Sequence, residues 1–159
     1  YCYEHRLPLA MEILDIDFFK QYNDNYGHQQ GDECIIAIAD ELKKMEDRQT
    51  FCARYGGDEF IIIYAGASAE EVYAKAGALR QNIMNLKLEH LYSKALPIVT
   101  ISQGISYGVP EEGNRSWDFL HTADMLLYQV KKKSRNDICI ADIRGQELDL
   151  SSKQEKVEP

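Results

Sequence analysis

Arg54-Tyr55-Gly56-Gly57-Asp58-Glu59-Phe60 lies between two apolar β-type runs, Phe51–Tyr55 and Phe60–Tyr64. The pattern predicts a hairpin whose tip carries no side chains and then turns acidic. Glycines at such a tip are expected to allow positive φ and to let a bulky ligand approach the backbone. A carboxylate directly after them suits a divalent metal that bridges phosphate oxygens. Taken alone, the hairpin fits an ordinary Gly-Asp turn with a solvated Glu59 equally well. A second acidic site upstream separates the two readings. The apolar run Pro8–Leu14 predicts a buried strand that ends in Asp15-Ile16-Asp17-Phe18-Phe19-Lys20. A strand that stops in Asp-x-Asp puts carboxylates at the end of a sheet, where nucleotidyl-transfer chemistry holds metal.

The segment Asn23–Asp32 is rich in turn formers and reads as a polar loop. Beyond it, Gly31–Met45 places Ile35, Ile38, Leu42 and Met45 on one helical face. Ser68 suits an N-cap for a helix with an apolar stripe of Val72, Ala76, Leu79, Ile83 and Leu86. Pro97–Ser106 is β-rich, and Ser116 is the expected cap of a helix whose face is Leu120, Ala123, Leu127 and Val130. Ile138–Ala141 completes the set as a short strand. This β-α-β-β-α-β-α-β order predicts an α+β fold with helices packed on a mostly antiparallel sheet. If the first strands form a split β-α-β unit, strand Leu9–Asp15 is central and runs parallel to Phe51–Tyr55. Asp15 and Asp58 then converge at one edge.

Three segments in this order and spacing, DIDFFK at 15–20, YNDNYGHQQGD at 22–32 and RYGGDEF at 54–60, resemble the GGDEF family of diguanylate cyclases. TISQGIS at 100–106 and ADMLLYQVKKKSRN at 123–136 are similar to the rest of that domain, so the likeness runs from about Leu9 to about Ile140. The resemblance implies a palm-like, nucleotidyl cyclase-type fold with a central mostly antiparallel sheet flanked by helices. It implies one domain over residues 1–144 that lacks its N-terminal part, followed by a polar, mobile tail over 145–159. The activity implied is condensation of two GTP into cyclic di-GMP and two pyrophosphates across a transient homodimer. The alternative is a catalytically inactive GTP-binding regulatory module.

The resemblance also distributes roles. Asp15, Asp58 and the carbonyl of Ile16 hold two divalent ions, Mg2+ or Mn2+. Asp58 is the candidate acceptor of the 3′-hydroxyl proton, with a metal-bound water as the other candidate. Asn23 and Asp32 read guanine, since a carboxylate can accept from N1–H and the 2-amino group. His28 either contacts the nucleotide or is structural. Lys131 and Arg135, four apart and on one helical face, take the β- and γ-phosphates. Lys20 and the amides of Phe18 and Phe19 lie where phosphates meet a helix start, and the resemblance makes Lys20 a catalytic candidate that stabilises charge in the transition state, with Gly56 and Gly57 as further substrate contacts. The Phe18 and Phe19 side chains are expected to pack rather than stack. Glu59 orients Lys131 or a metal-bound water, and Arg54 is a further supporting residue of the site.

Composition agrees. Lys plus Arg is 18 against 26 Asp plus Glu, a formal net charge of −8, which disfavours nonspecific nucleic-acid or anionic-membrane partners. No stretch is long and apolar enough to span a bilayer. Cys2, Cys34, Cys52 and Cys139 are scattered without metal-ligand spacing and read as free thiols in a reducing cytoplasm. The expected location is cytoplasmic, or the cytoplasmic part of a larger membrane-anchored protein with an N-terminal sensor or regulatory domain. Two departures from the family pattern stand out. The Arg-x-x-Asp product-inhibition window reads Asp47-Arg48-Gln49-Thr50, which predicts weak feedback by cyclic di-GMP. Gln103 falls where an apolar residue is usual, between Ile101 and Ile105, and needs a buried partner. The family's leading Asp-x-Leu-Thr and Asn-Arg segment does not appear, so the chain is expected to be an excised domain.

Overall fold

The computed structural model describes residues 1–148 and 150. A short helix α1 (Cys2–His5) leads into the central strand β1 (Leu9–Ile16), then helices α2 (Phe19–Tyr26) and α3 (His28–Met45). The hairpin strands are β2 (Thr50–Arg54) and β3 (Glu59–Ala65), followed by α4 (Ala69–Asn85), β4 (Ile101–Gly108), α5 (Ser116–Lys133) and β5 (Ile138–Asp142). The sheet order is β2-β3-β1-β4-β5. All neighbours are antiparallel except β4 and β5. Because β3 opposes both β1 and β2, these two run the same way, as the split unit predicts.

Strand parity assigns the two faces. Ala10, Leu14 and Ile16 pack with α3 and α4 in the main core, alongside Ile62, Tyr64, Ile101 and Ile105. Ile13 faces the other way and packs with Ala123 and Leu127 of α5. A β-carbon on Gly104 would lie 2.9 Å from the Leu127 Cα and closer still to the Ala123 carbonyl, so α5 rests directly on the β4 backbone. Gln103 is fully buried; its amide nitrogen donates to the Ala76 carbonyl at 3.2 Å, which supplies one partner, while Oε1 is buried without any.

Three local expectations need correcting. The polar segment 23–32 is not a loop: it is the end of α2 and the start of α3, broken only at Gly27, whose φ of 87° leaves the helical region. Ser116 is the first helical residue of α5 rather than its cap; Arg115 precedes it, and the Arg115 N–H donates to the Asp118 carboxylate at 2.8 Å. Ser68 does cap α4, in a reciprocal box with Glu71. The tail is not free from 145 onward. Glu147 bridges Ala141, the Leu148 N–H donates to the Ile140 carbonyl, and Leu148 packs on the main core. The rest of the predicted mobile tail, 149 and 151–159, lies outside the described residues. All four cysteines are free. No helix among the described residues is long and apolar enough to cross a membrane.

Candidate active site

Asp15 ends β1 on the face that α5 covers. Leu127 packs against Ile13, and one turn later Lys131 reaches past it to form an ion pair with Asp15 Oδ2. The hairpin closes over the same point, since Asp15 pairs with Glu59 and the Ile16 N–H donates to the Asp58 carbonyl at 3.2 Å. Asp15 and Asp58, 43 positions apart in sequence, therefore sit on adjacent strand ends. Burial pushes the Asp15 carboxyl up to about 6; Lys131 opposes that rise, and the charges of Asp58 and Asp17 add to it. Its second oxygen, Oδ1, is buried without a hydrogen-bond partner. The group is thus set up for a cation.

The hairpin tip is held by Arg54, which donates to the carbonyls of Gly56 at 3.1 Å and Gly57 at 2.7 Å. Neither glycine has positive φ, contrary to the sequence expectation. Their value is space: a β-carbon on Gly57 would meet nothing within 4 Å. Glu59 is half-buried beside Gly56 and is not the partner of Lys131, whose ion pair goes to Asp15.

Next to the tip lies a cleft of about 380 Å³ lined by the sequence candidates Phe19, Lys20, Asn23, His28, Asp32, Arg54, Gly57 and Asp58, together with Asp24 and Ile35, which the sequence does not single out for the site. Asn23 Oδ1 is buried without a partner. A β-carbon on Gly31 would overlap that oxygen, so the Asn23 side chain keeps its place only beside a glycine. Lys20, His28 and Asp32 are exposed. Asp15, Ile16, Lys131, Arg135, Phe18, Gly56 and Glu59 do not line this cleft. They occupy the rim where β1, the hairpin and the end of α5 meet.

Arg135 reaches that rim by a different route from the one expected. It is not on the helical face of Lys131 but past the end of α5, in the left-handed region at φ 54°. From there its guanidinium stacks on the Phe18 ring at 4.2 Å and approaches Asp17 Oδ1 at 3.6 Å. Phe18 therefore stacks, on a side chain of its own chain, whereas Phe19 is buried in the core as expected.

Asp17 was overlooked in the sequence reading. It is fully buried and accepts from Thr100 Oγ1 at 2.8 Å, Ser102 Oγ at 2.5 Å and the Asn136 N–H at 2.9 Å. It ties the exit of β1 to the start of β4 and to the turn after α5. The second Asp of the Asp-x-Asp pair was the available signal, with Thr100 and Ser102 alternating on one strand face. No comparable signal pointed to His90, which bonds Phe18.

A model of the family described as "Diguanylate cyclase, GGDEF domain" matches residues 2–137. This chain belongs to the GGDEF-domain family. Among its relatives, the probable diguanylate cyclase DgcC of Escherichia coli (strain K12) is 35% identical over 138 residues, covering 85% of this chain and 35% of that protein. Diguanylate cyclase A of Treponema denticola is 34% identical, with 87% of this chain and 36% of that protein covered. This GGDEF chain thus spans about a third of the length of these relatives. The crystal structure of the GGDEF domain of DgcB from Caulobacter crescentus in complex with c-di-GMP superposes with a TM-score of 0.77 at 28% identity, over 90% of this chain and 82% of that one. The active GGEEF domain of a diguanylate cyclase from Vibrio cholerae gives 0.71 at 31% identity, over 86% and 85%. The mostly antiparallel, palm-like α+β sheet expected from sequence is the fold of this family.

Proposed function

We propose that this domain is a diguanylate cyclase that joins two GTP molecules into cyclic di-GMP and two pyrophosphates. The observation that carries the reading is the meeting of Asp15, Asp58 and Lys131 on one rim, beside a cleft containing Asn23 and Asp32. Guanine enters the cleft, where Asn23 Oδ1 has no partner of its own and Asp32 is exposed to accept from the base. The triphosphate lies along the rim, between the first amides of α2 and the cations Lys20, Lys131 and Arg135. Asp58 takes the proton of the attacking 3′-hydroxyl.

No cluster of three or more His, Cys, Asp or Glu side chains appears among the described residues, so a metal here relies on two carboxylates, a carbonyl and the nucleotide itself. The orphaned Asp15 Oδ1 and the raised Asp15 carboxyl fit such a cation, which Asp15, Asp58 and the Ile16 carbonyl would hold. When bound there, two Mg2+ or Mn2+ ions would supply charge neutralisation on the triphosphate and a lower pKa for the attacking hydroxyl. Lys131 brings positive charge to Asp15, and Arg135 brings it to the Phe18 turn.

One such site presents a single GTP, so the complete reaction needs a second copy facing it, with each 3′-hydroxyl attacking the other's α-phosphorus. Assembly of that transient homodimer is assigned to sensor or regulatory parts of a longer protein, working in the cytoplasm where GTP is available. The inactive-binder alternative has no support from the residues, since Asp15, Asp58, Glu59 and Lys131 are all present. Chromatography of products after incubation with GTP and Mg2+ tests the proposal. Cyclic di-GMP from the wild type, and none from a folded Asp58→Ala variant, is the expected outcome. Unchanged turnover in that variant would remove Asp58 from the chemistry.

A further inference from the structure

His90 lies outside every motif of the sequence, yet it is fully buried against the start of α2. Its segment folds back on itself: Glu89 bridges Ile98, the His90 N–H donates to the Pro97 carbonyl, and the Val99 N–H donates to the Leu88 carbonyl. The segment is clamped to α2 by Tyr26, whose hydroxyl donates to Glu89 at 3.2 Å and accepts from the Leu91 N–H at 3.0 Å. The imidazole stands edge-on to Tyr22, with ring centroids 5.2 Å apart.

Its Nε2 is 3.0 Å from the Phe18 carbonyl. A carbonyl can only accept, so Nε2 carries the proton, and Nδ1 is left bare and buried without a partner. Phe18 is the residue before α2 and sits in the left-handed region at φ 54°, ψ 37°, with no side-chain cap on the helix. A residue with a β-carbon stays there only when its surroundings hold it. Two groups grip its carbonyl: the Tyr22 N–H at 3.0 Å, from within the helix, and His90 from outside it.

We propose that His90 is a positioning residue for the phosphate-binding turn. By gripping the Phe18 carbonyl it fixes the left-handed backbone, the first amides of α2, and the Phe18 ring that carries the Arg135 guanidinium. The proposal rests on the reading above, in which this turn and Arg135 take the triphosphate. The segment after α4 therefore tunes the site without touching the substrate.

The test compares His90→Phe, which keeps the aromatic packing and loses the donor, with His90→Gln, whose amide can still donate. Affinities for GTP with Mg2+ and for guanosine are measured on each in the intact protein. In His90→Phe the Kd for GTP rises about tenfold, the scale of one hydrogen bond lost from the two that hold the Phe18 carbonyl. Guanosine binding stays unchanged, and His90→Gln recovers most of the loss. Equal losses for both ligands, no loss, or a Gln variant no better than Phe would each overturn the proposal. A wild type that binds guanosine as tightly as GTP would instead refute the phosphate-turn reading itself. Nitrogen-15 NMR of the wild-type histidines decides the bond independently of that result and of whether the variants fold. A protected Nε2–H on His90 supports it, and the Nδ1–H tautomer overturns it.

Discussion

Glu12 sits mid-strand in β1 with no solvent exposure, and neither carboxyl oxygen has a hydrogen-bond partner. Burial alone pushes its pKa from 4.5 up to about 8. Between those values the folded protein keeps the proton and the unfolded chain releases it, so stability falls as pH rises. The loss is about 1.4 kcal/mol per pH unit, about 5 kcal/mol across the whole window, against a typical domain stability of 5–15 kcal/mol. It begins near pH 4.5 and is complete just above pH 8. Asp15, raised to about 6, loses stability in the same direction but has finished titrating by about pH 7. The neighbouring Cys52 thiol is pushed up to about 12 and the Tyr64 hydroxyl well above 10, so neither ionises in this range. Urea unfolding of wild type and Glu12→Gln between pH 6.5 and 8 isolates the effect, because other groups cancel in the difference. The wild type should lose about 1.5 kcal/mol relative to the variant over that interval. Glu12→Leu, which also removes the orphaned oxygens, should be as flat with pH and more stable than wild type at pH 8. Parallel pH profiles for wild type and Glu12→Gln would mean that the carboxylate finds water or a cation, and the reasoning would fail.

Asp15 must be ionised to hold a cation, so kcat/KM for GTP should fall as pH drops through about 6. Bound divalent metal lowers that midpoint, and Lys131→Met should move it upward at fixed Mg2+; the same midpoint in both proteins would exclude Asp15. Gly31→Ala should displace the Asn23 side chain and raise KM for GTP about tenfold with little change in kcat, roughly the value of one hydrogen bond to the base; unaltered KM would mean that Asn23 does not read guanine. Gly104→Ala should lift α5 from β4 and cost roughly 1–3 kcal/mol in denaturant unfolding. Because α5 carries Lys131, turnover should fall more steeply than stability does.

The parts of the molecule legible in sequence are those with a short period or a fixed offset. Strand β1, the hairpin and the apolar stripes of α3, α4 and α5 follow from spacing alone, and their topology brings Asp15 beside Asp58. The segment 23–32 was misread because its composition favours turns, whereas Tyr22, Cys34 and Ile35 bury enough surface to hold α2 and α3 in place. Arg135 was assigned to the right rim by the wrong geometry. Helical spacing from Lys131 placed it there on paper, but the helix ends first and a left-handed turn delivers it. Asp17 and His90 escaped notice because their partners lie 83 and 72 positions away in the chain.

Asp17 and His90 both bond to strained stretches of backbone, at Asn136 and Phe18. Among the described residues five non-glycines have positive φ, and three of them, Phe18, Arg135 and Asn136, surround the rim beside the cleft. Two of them are held by polar side chains from distant segments: His90 on the Phe18 carbonyl, and on Asn136 both Asp17, at the amide, and Arg80, which donates to the carbonyl at 2.7 Å; the Arg135 N–H donates to the Val130 carbonyl at 2.9 Å. Left-handed residues with a β-carbon cost free energy, on the order of 1 kcal/mol or more each, and persist where surrounding bonds outweigh that cost. Here the surrounding bonds come from α4, β1 and the segment that follows α4. The carboxylates are placed by the sheet and Lys131 by the stripe of α5, which the sequence encodes openly, whereas Arg135 is placed by a strained turn locked from beneath. A substitution beneath the rim, at Asp17 or His90, should therefore disturb phosphate binding while leaving the Asp15–Asp58 pair where the strands put it.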